Sequence, residues 1–394
     1  MTASEPALHI LILSDRDWTH PQGGGTGANL FGQVSRWLAW GHRVSVIACG
    51  YPGAAPVEQV APGLTLYRVG GRSTVFPQAI VRQWRGLVPD ADVVLEVVNG
   101  ITFLTPLWLR TPRLTLVHHI HRDHYVREMG RFGRAAAFLL ETLPLRLLYR
   151  RSRFLTISHA SARDIAAHGI RPERIEVGYL GVELEAFAPD PAARAAEPTV
   201  LYLGRLKRYK RIEVLLDALV LTPEAVLDIA GDGDHRPALE RAIEARGLSD
   251  RVRMHGHVTE DEKRRLYQRA WVNVTASSAE GWALSVMEAA ACGTPTAALA
   301  VGGLPESVED GRTGLLARSP DELAERIQLI LRDPELRDSL GAAALERARA
   351  FTWDATARRT LEVLSAQVSG RALHGPSGPA AGLDAAAPDG AART

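Results

Sequence analysis

Twice along this chain, short apolar runs alternate with stretches of helical periodicity. Such alternation constrains the fold strongly, because parallel strands must return to their sheet through crossover connections, usually helices. The first series of strands is read at His9–Leu13, Val44–Cys49, Thr65–Val69, Val93–Val97, Arg113–Val117, Phe154–Ile157 and Arg174–Val177. The second lies near 199–203, 226–230, 252–255, 272–275 and 296–299. Between them, Glu183–Pro198 is irregular and rich in Ala, Pro and acidic residues, which marks a domain boundary. At 394 residues the chain exceeds the roughly 250 at which single cores stop growing. Two α/β domains with a cleft between them are therefore expected: residues 1–185, then 186–368, with the last helix free to pack back on the first domain. From Ser369 to Thr394 the sequence is Gly, Ala, Pro and Ser without apolar periodicity, and a disordered tail is expected.

Composition narrows the function classes. Apolar residues make up 46% and charged residues 23% of the chain, which excludes bulk disorder and a fibrous repeat. A net charge of +1 gives no reason to expect a nucleic-acid partner. Of 46 basic residues only Lys207, Lys210 and Lys263 are lysines, so each retained lysine invites a reason. Cys49 and Cys292 lack metal-ligand spacing and read as buried free thiols. The run Leu8–Leu13 is too short for a signal sequence or a membrane span, so a cytoplasmic protein is expected.

Three segments carry chemistry. Pro21–Gly27, PQGGGTG, lies between the first strand and a helix read from Ala28; it suits either an anion approached by backbone N–H groups or a plain tight turn. Gly204-Arg205-Leu206 follows a strand, and Lys207, Arg208, Lys210 and Arg211 crowd the start of the next helix. Cations are unfavourable at a helix N-terminus unless an anion sits there, so a bound pyrophosphate explains the cluster better than a solvated charge run. Glu280 and Glu288 flank a strand-to-helix turn in which the amides of Ala283, Leu284 and Ser285 point outward, while the carboxylates suit vicinal hydroxyls. Spacing alone leaves both glutamates as ordinary surface acids.

The segment Glu280–Pro295, EGWALSVMEAAACGTP, resembles the Glu-x7-Glu motif of retaining family-4 glycosyltransferases. Gly204-Arg205-Leu206 with Lys210, then Ile229–Gly233, then Phe351-Thr352-Trp353 are similar to the same family in the same order. The resemblance implies the GT-B fold, two Rossmann-like domains facing across a cleft, acting on a nucleoside diphosphate sugar (UDP or GDP) with no metal and no further cofactor. It implies that Arg205 and Lys210 neutralise the diphosphate, Glu280 holds donor-sugar hydroxyls and Glu288 binds the ribose. It also implies that Gly24 and Gly25 close over the diphosphate, that Gly204 belongs to the nucleotide site, and that His257 and Val258 lie beside the base. The family often has glycine where Ala283 stands.

Histidines cluster at His118, His119, His121 and His124, after the fifth strand. The resemblance places a His at this strand end near the transferred sugar and acceptor, and His118 matches best. A metal is the competing explanation for the cluster. The stretch Phe132–Arg153 reads as one helix kinked at Pro144, with an apolar face and many arginines; packing against the first sheet explains the face, and peripheral membrane contact remains open. The acceptor is unidentified: a glycan, a lipid-linked molecule or a small molecule. A sugar-nucleotide 2-epimerase of the same architecture is the alternative, with a nicotinamide oxidoreductase and a non-catalytic sugar-nucleotide binder behind it.

Overall fold

A computed structural model describes residues 6–120, 132–133, 135 and 138–370. Its contacts divide the chain into one unit running to Tyr179 and resuming at Asp354, and a second from Leu180 to Trp353.

The first unit is an eight-stranded sheet in the order β3-β4-β2-β1-β5-β6-β7-β8. The strands are β1 (His9–Leu13), β2 (Arg43–Ala48), β3 (Val57–Ala61), β4 (Leu64–Arg68), β5 (Val93–Val98), β6 (Arg113–Val117), β7 (Arg153–Thr156) and β8 (Ile175–Val177). All neighbours pair in parallel except β3, an antiparallel edge strand against β4. That strand was not legible in the sequence, because Val57–Ala61 is solvent-facing and lacks an apolar run.

Side chains alternate across the sheet. Ile10, Ile12, Val93, Leu95, Leu114 and Leu116 face one side, where they pack on Leu30, Val34 and Trp37 of α1 (Gly24–Ala39) and on Ala357, Leu361 and Leu364 of α13 (Trp353–Ser369). Trp37 Nε1 donates to Ala357 O at 3.0 Å. On the other side, Leu11, Leu13 and Val94 meet Val75 and Ala79 of α2 (Val75–Trp84) and Phe103, just before α3 (Thr105–Trp108). Further along that face, Val98, Val117 and Phe154 meet Leu145 of α4 (Leu143–Leu147) and Tyr149. Glu96, fully buried with the parity of Val94 and Val98, links these layers. It accepts from Phe103 N at 2.7 Å, from the Tyr149 hydroxyl at 2.6 Å and from the Thr105 hydroxyl. Burial pushes its carboxyl pKa up.

Two expectations need correction here. Gly24, Gly25, Thr26 and Gly27 are not a loop but the first turn of α1. The stretch 132–153 is helical only in part: its described residues are helical to Leu147, with a π segment at Phe138–Thr142 running directly into α4 (Leu143–Leu147), and β7 begins at Arg153. Nor does its apolar face simply pack inward. Leu145 and Tyr149 do, whereas Phe138, Leu139, Leu140 and Leu147 are exposed. His121 and His124 of the histidine cluster, and the tail from Arg371, lie outside the described residues.

The second unit has six parallel strands in the order β11-β10-β9-β12-β13-β14. They are β9 (Thr199–Leu203), β10 (Val226–Ala230), β11 (Val252–Gly256), β12 (Val272–Thr275), β13 (Thr296–Leu299) and β14 (Gly314–Ala317). The connecting helices are α5 (His159–Ala167) in the first unit and, in the second, α6 (Glu213–Val220), α7 (Arg236–Ala245), α8 (Glu260–Arg269), α9 (Leu284–Ala291), α10 (Leu304–Ser307), α11 (Pro320–Arg332) and α12 (Pro334–Ala348). This strand order reverses between β9 and β12. In open α/β sheets, ligands bind outside the carboxyl ends of the strands at such a switch point.

Candidate functional site

The residues leaving the carboxyl ends of β9 and β12 are those that the sequence singled out. After β9, Gly204 and Arg205 lead into a single 3-10 turn, Arg208–Lys210, and a left-handed Arg211 at φ 51° before α6 begins at Glu213. The basic cluster thus precedes the helix rather than occupying its first turn. Backbone packing fixes the loop: Leu206 N donates to Asp232 O at 2.9 Å and His235 N donates to Leu206 O at 3.1 Å. A Cβ at Gly233 would come within 2.1 Å of Leu206 O, which explains why the Ile229–Gly233 segment needs glycine there.

After β12, Ser278 N donates to Tyr209 O at 2.8 Å, drawing the following loop onto the 3-10 turn. Lys210 Nζ then reaches Glu280 Oε2 at 2.5 Å, with both side chains largely buried. Burial disfavours the ammonium, but Glu280 and Tyr209 outweigh it and hold the Lys210 pKa above its ordinary value. Arg205 is exposed, with Nη2 3.5 Å from the Tyr209 hydroxyl. The Glu280 backbone is held from the loop after β13, where Gly303 N donates to Glu280 O at 2.8 Å. Trp282, 1% exposed, anchors the same loop by donating from Nε1 to Leu180 O at 3.1 Å and packing on Phe351.

Ala283 closes the turn at φ 63°, the left-handed region that costs a non-glycine residue about 1–2 kcal/mol. It is the N-cap of α9, whose first amides, those of Leu284 and Ser285 among them, have no intrahelical acceptor. The strain falls where the resembled family often carries glycine. Ala283→Gly is expected to raise stability by about 1 kcal/mol, less the entropy that glycine adds to the unfolded chain; an unchanged or lower denaturant midpoint would contradict this.

Glu288 lies one turn into α9 and is 14% exposed at its side chain. It accepts from Lys263 Nζ at 2.8 Å and from the Tyr267 hydroxyl at 2.9 Å. Both partners come from α8, and neither was recognised in the sequence as part of the site. The signal was there for Lys263, since it is one of only three lysines. Two of the three lysines therefore pair with Glu280 and Glu288, and Lys207 pairs with Asp234 at 2.8 Å. His257 is exposed and Val258 half-buried in the loop between β11 and the capping box that starts α8.

The first unit holds the other singled-out residues. Gly24, at φ 57°, and Gly25 are exposed at the start of α1. His118 follows β6 and is 5% exposed. Asn29 of α1 donates from Nδ2 to His118 Nε2 at 2.8 Å, its own oxygen being taken by Gln33 Nε2 at 2.7 Å. The neutral ring therefore carries its proton on Nδ1, which is buried without a hydrogen-bond partner among the described residues.

Burial, followed by the nearby His119, lowers the His118 pKa from 6.5 to about 3. A folded-state pKa below the unfolded one means that the unfolded chain binds the extra proton. Stability is then fully present above pH 6.5 and falls as the pH drops towards 3. At pH 5 the loss is about 2 kcal/mol. Denaturant unfolding at pH 7 and pH 5 should show that difference in the wild-type chain and its disappearance in His118→Asn; an equal drop in both would contradict it.

Comparison with known proteins agrees with the fold. Residues 23–186 match the family model described as Glycosyltransferase Family 4, and residues 185–347 match Glycosyl transferases group 1. Two Rossmann-like units of this kind make the GT-B fold of glycosyltransferases. A sucrose-phosphate synthase from Thermosynechococcus elongatus superposes with a TM-score of 0.80 at 23% identity, covering 92% of this chain and 100% of that one. The Anabaena protein HepE in complex with UDP-glucose does so at 0.72 and 19%, covering 91% and 100%. The two matched stretches run end to end and support a family-4 glycosyltransferase. A D-inositol 3-phosphate glycosyltransferase of Frankia alni is 37% identical over 213 residues, 48% of this chain and 52% of that protein. The chain thus spans about half the length of such curated relatives. Their names denote transferases, which does not favour the 2-epimerase alternative.

Proposed function

We propose that the protein transfers a hexose-type sugar from a nucleoside diphosphate, UDP or GDP, to a hydroxyl of an acceptor, with retention at the anomeric carbon and without a metal. The observation that carries this reading is the arrangement at the β9/β12 switch point, where Lys210 meets Glu280 and Lys263 meets Glu288 beside the amide-rich start of α9. The complex of Anabaena HepE with UDP-glucose supports the donor class.

In this reading Glu288 accepts the ribose hydroxyls and Glu280 those of the sugar. Arg205 and Lys210 take up the charge that develops as the bond from the anomeric carbon to the diphosphate oxygen breaks. The acceptor oxygen bonds to the anomeric carbon from the same face, and its proton passes to the departing phosphate. The neutral His118 ring supplies an N–H at Nδ1 for a sugar or acceptor oxygen. Acceptors in polysaccharide, glycolipid or natural-product glycoside synthesis fit this chemistry. A cytoplasmic location suits the donor pool. Among the described residues no helix is long and apolar enough to cross a membrane.

Thermal-shift titration with UDP and GDP tests the reading, since ligand at 100 times its dissociation constant adds about 2.7 kcal/mol. No shift with either nucleotide would end it. Lys263→Ala leaves Glu288 without its ammonium partner. Its UDP or GDP affinity is expected to fall by about 1–2 kcal/mol, roughly 5- to 30-fold. Tyr267→Phe, which removes a neutral donor, should cost less. Nucleotide titration of both variants checks the order, and a larger effect from Tyr267→Phe would show that the ion pair is not what positions Glu288.

A further inference from the structure

An exposed guanidinium on a long side chain is free to rotate, yet a charge steadies a departing anion only from a fixed position. Arg205 is such a residue. Two tyrosines of the second unit surround it and supply the constraint that it lacks. Tyr202, on β9 and 2% exposed, donates its hydroxyl to Arg205 O at 3.0 Å, which pins the backbone from which the guanidinium extends. The fit is close: a Cβ at Gly204 would crowd that hydroxyl at 3.2 Å.

Tyr209 meets the other end of Arg205. Half-buried in the 3-10 turn, it places its hydroxyl 3.5 Å from Arg205 Nη2. Lys210 Nζ lies 5.2 Å from the centroid of the same ring, within the range of a cation–π contact. One side chain thus reaches both cations. Tyr209 is itself held, because its carbonyl accepts from Ser278 N at 2.8 Å and from the Ser278 hydroxyl at 3.2 Å. The segments that leave β9 and β12 therefore join at Tyr209, with the guanidinium at its hydroxyl and the ammonium of the Lys210–Glu280 pair at its ring. A tyrosine that only filled space would need the ring but not the hydroxyl.

We propose that Tyr209 is a positioning residue for the two cations: its hydroxyl orients Arg205 and its ring holds Lys210, so that both meet the diphosphate together. Tyr202 fixes the backbone on which this arrangement stands. The inference rests on the roles proposed above for Arg205 and Lys210, and adds a residue that acts through them rather than on the nucleotide.

Titration with UDP and GDP, each beside its nucleoside, tests it, since uridine and guanosine lack the diphosphate that the cations meet. Tyr209→Phe keeps the ring and should weaken diphosphate binding about 5-fold through the hydroxyl alone. Tyr209→Leu loses both contacts and should weaken it about 10- to 50-fold. Nucleoside affinity and the melting temperature of Tyr209→Phe should stay at wild-type values, which a merely structural role would not predict. The effects should also fail to add: in an Arg205→Ala background, where the hydroxyl has lost its partner, Tyr209→Phe should cost less than about 2-fold. In a Lys210→Ala background the difference between Tyr209→Leu and Tyr209→Phe should shrink likewise. Wild-type diphosphate affinity in both Tyr209 variants, an equal loss of nucleoside affinity, or the same cost of Tyr209→Phe with and without Arg205 would overturn the proposal. If Arg205→Ala and Lys210→Ala weaken the diphosphate while the Tyr209 variants do not, this inference alone fails. If those two variants bind it as the wild type does, the roles given to the cations fail first.

Discussion

Lys210→Ala is expected to lower turnover of the preferred nucleoside diphosphate sugar by about 10²–10³-fold. Two effects combine in that figure. The ammonium is lost from the place where leaving-group charge develops. Glu280, whose side chain is 17% exposed and whose Oε2 lies 2.5 Å from that ammonium, is also left as a carboxylate without its counter-charge. Among the described residues, the exposed Arg205 side chain has only a 3.5 Å contact with the Tyr209 hydroxyl, so Arg205→Ala disturbs nothing buried there and isolates the electrostatic contribution. Steady-state kinetics on the two single variants and the double variant separate these effects. A double variant with wild-type kcat would remove both residues from the chemistry.

Gly302→Ala should do comparable damage by a different route. The backbone at Gly302 has φ 55°, and a Cβ there would stand 2.1 Å from Glu280 O. Left-handed strain of about 1–2 kcal/mol and overpacking of about 1–3 kcal/mol together give a destabilisation of about 2–5 kcal/mol. Relief requires the Glu280 backbone to move, which would break its bond from Gly303 N and carry the carboxylate away from Lys210. A lower melting temperature should therefore accompany a raised KM for the donor. Gly311→Ala is the control, since its φ of 74° carries similar strain but nothing lies within 4 Å of a Cβ there. If the two variants melt alike and both keep the wild-type KM, the contact with Glu280 has no functional weight.

Much of this architecture could be read from the chain because buried parallel strands write themselves as uninterrupted apolar runs. His9–Leu13, Arg113–Val117 and Thr199–Leu203 were placed to the residue for that reason. The missed strands had other characters. Val57–Ala61 is an exposed edge, and Gly314–Ala317 is short and begins with glycine. At the candidate site, motif order singled out the carboxylates and cations that leave β9 and β12, where spacing alone could not, and the structure sets Lys210 against Glu280. Lys263 and Tyr267 were not singled out, since a helical residue gives no sign in sequence of which carboxylate lies across from it. Asn29 escaped for the same reason: only the fold brings α1 to the end of β6 and sets its amide against His118.

The division of the first unit, interrupted after Tyr179 and resumed at Asp354, bears on how the molecule is made. The second unit is continuous in sequence, so its core can close as soon as its own residues leave the ribosome. The first cannot, although it is synthesised earlier. Ile12, Leu95 and Leu116 receive Ala357, Leu361 and Leu364 only when α13 has been translated. Until then, that sheet face has only its own N-terminal helix for cover, and a nascent chain halted before Asp354 presents apolar strands to its surroundings. Helix α13 completes the cover of that face, so a chain truncated upstream of it is expected to aggregate more readily than the full chain, which light scattering of the two would check.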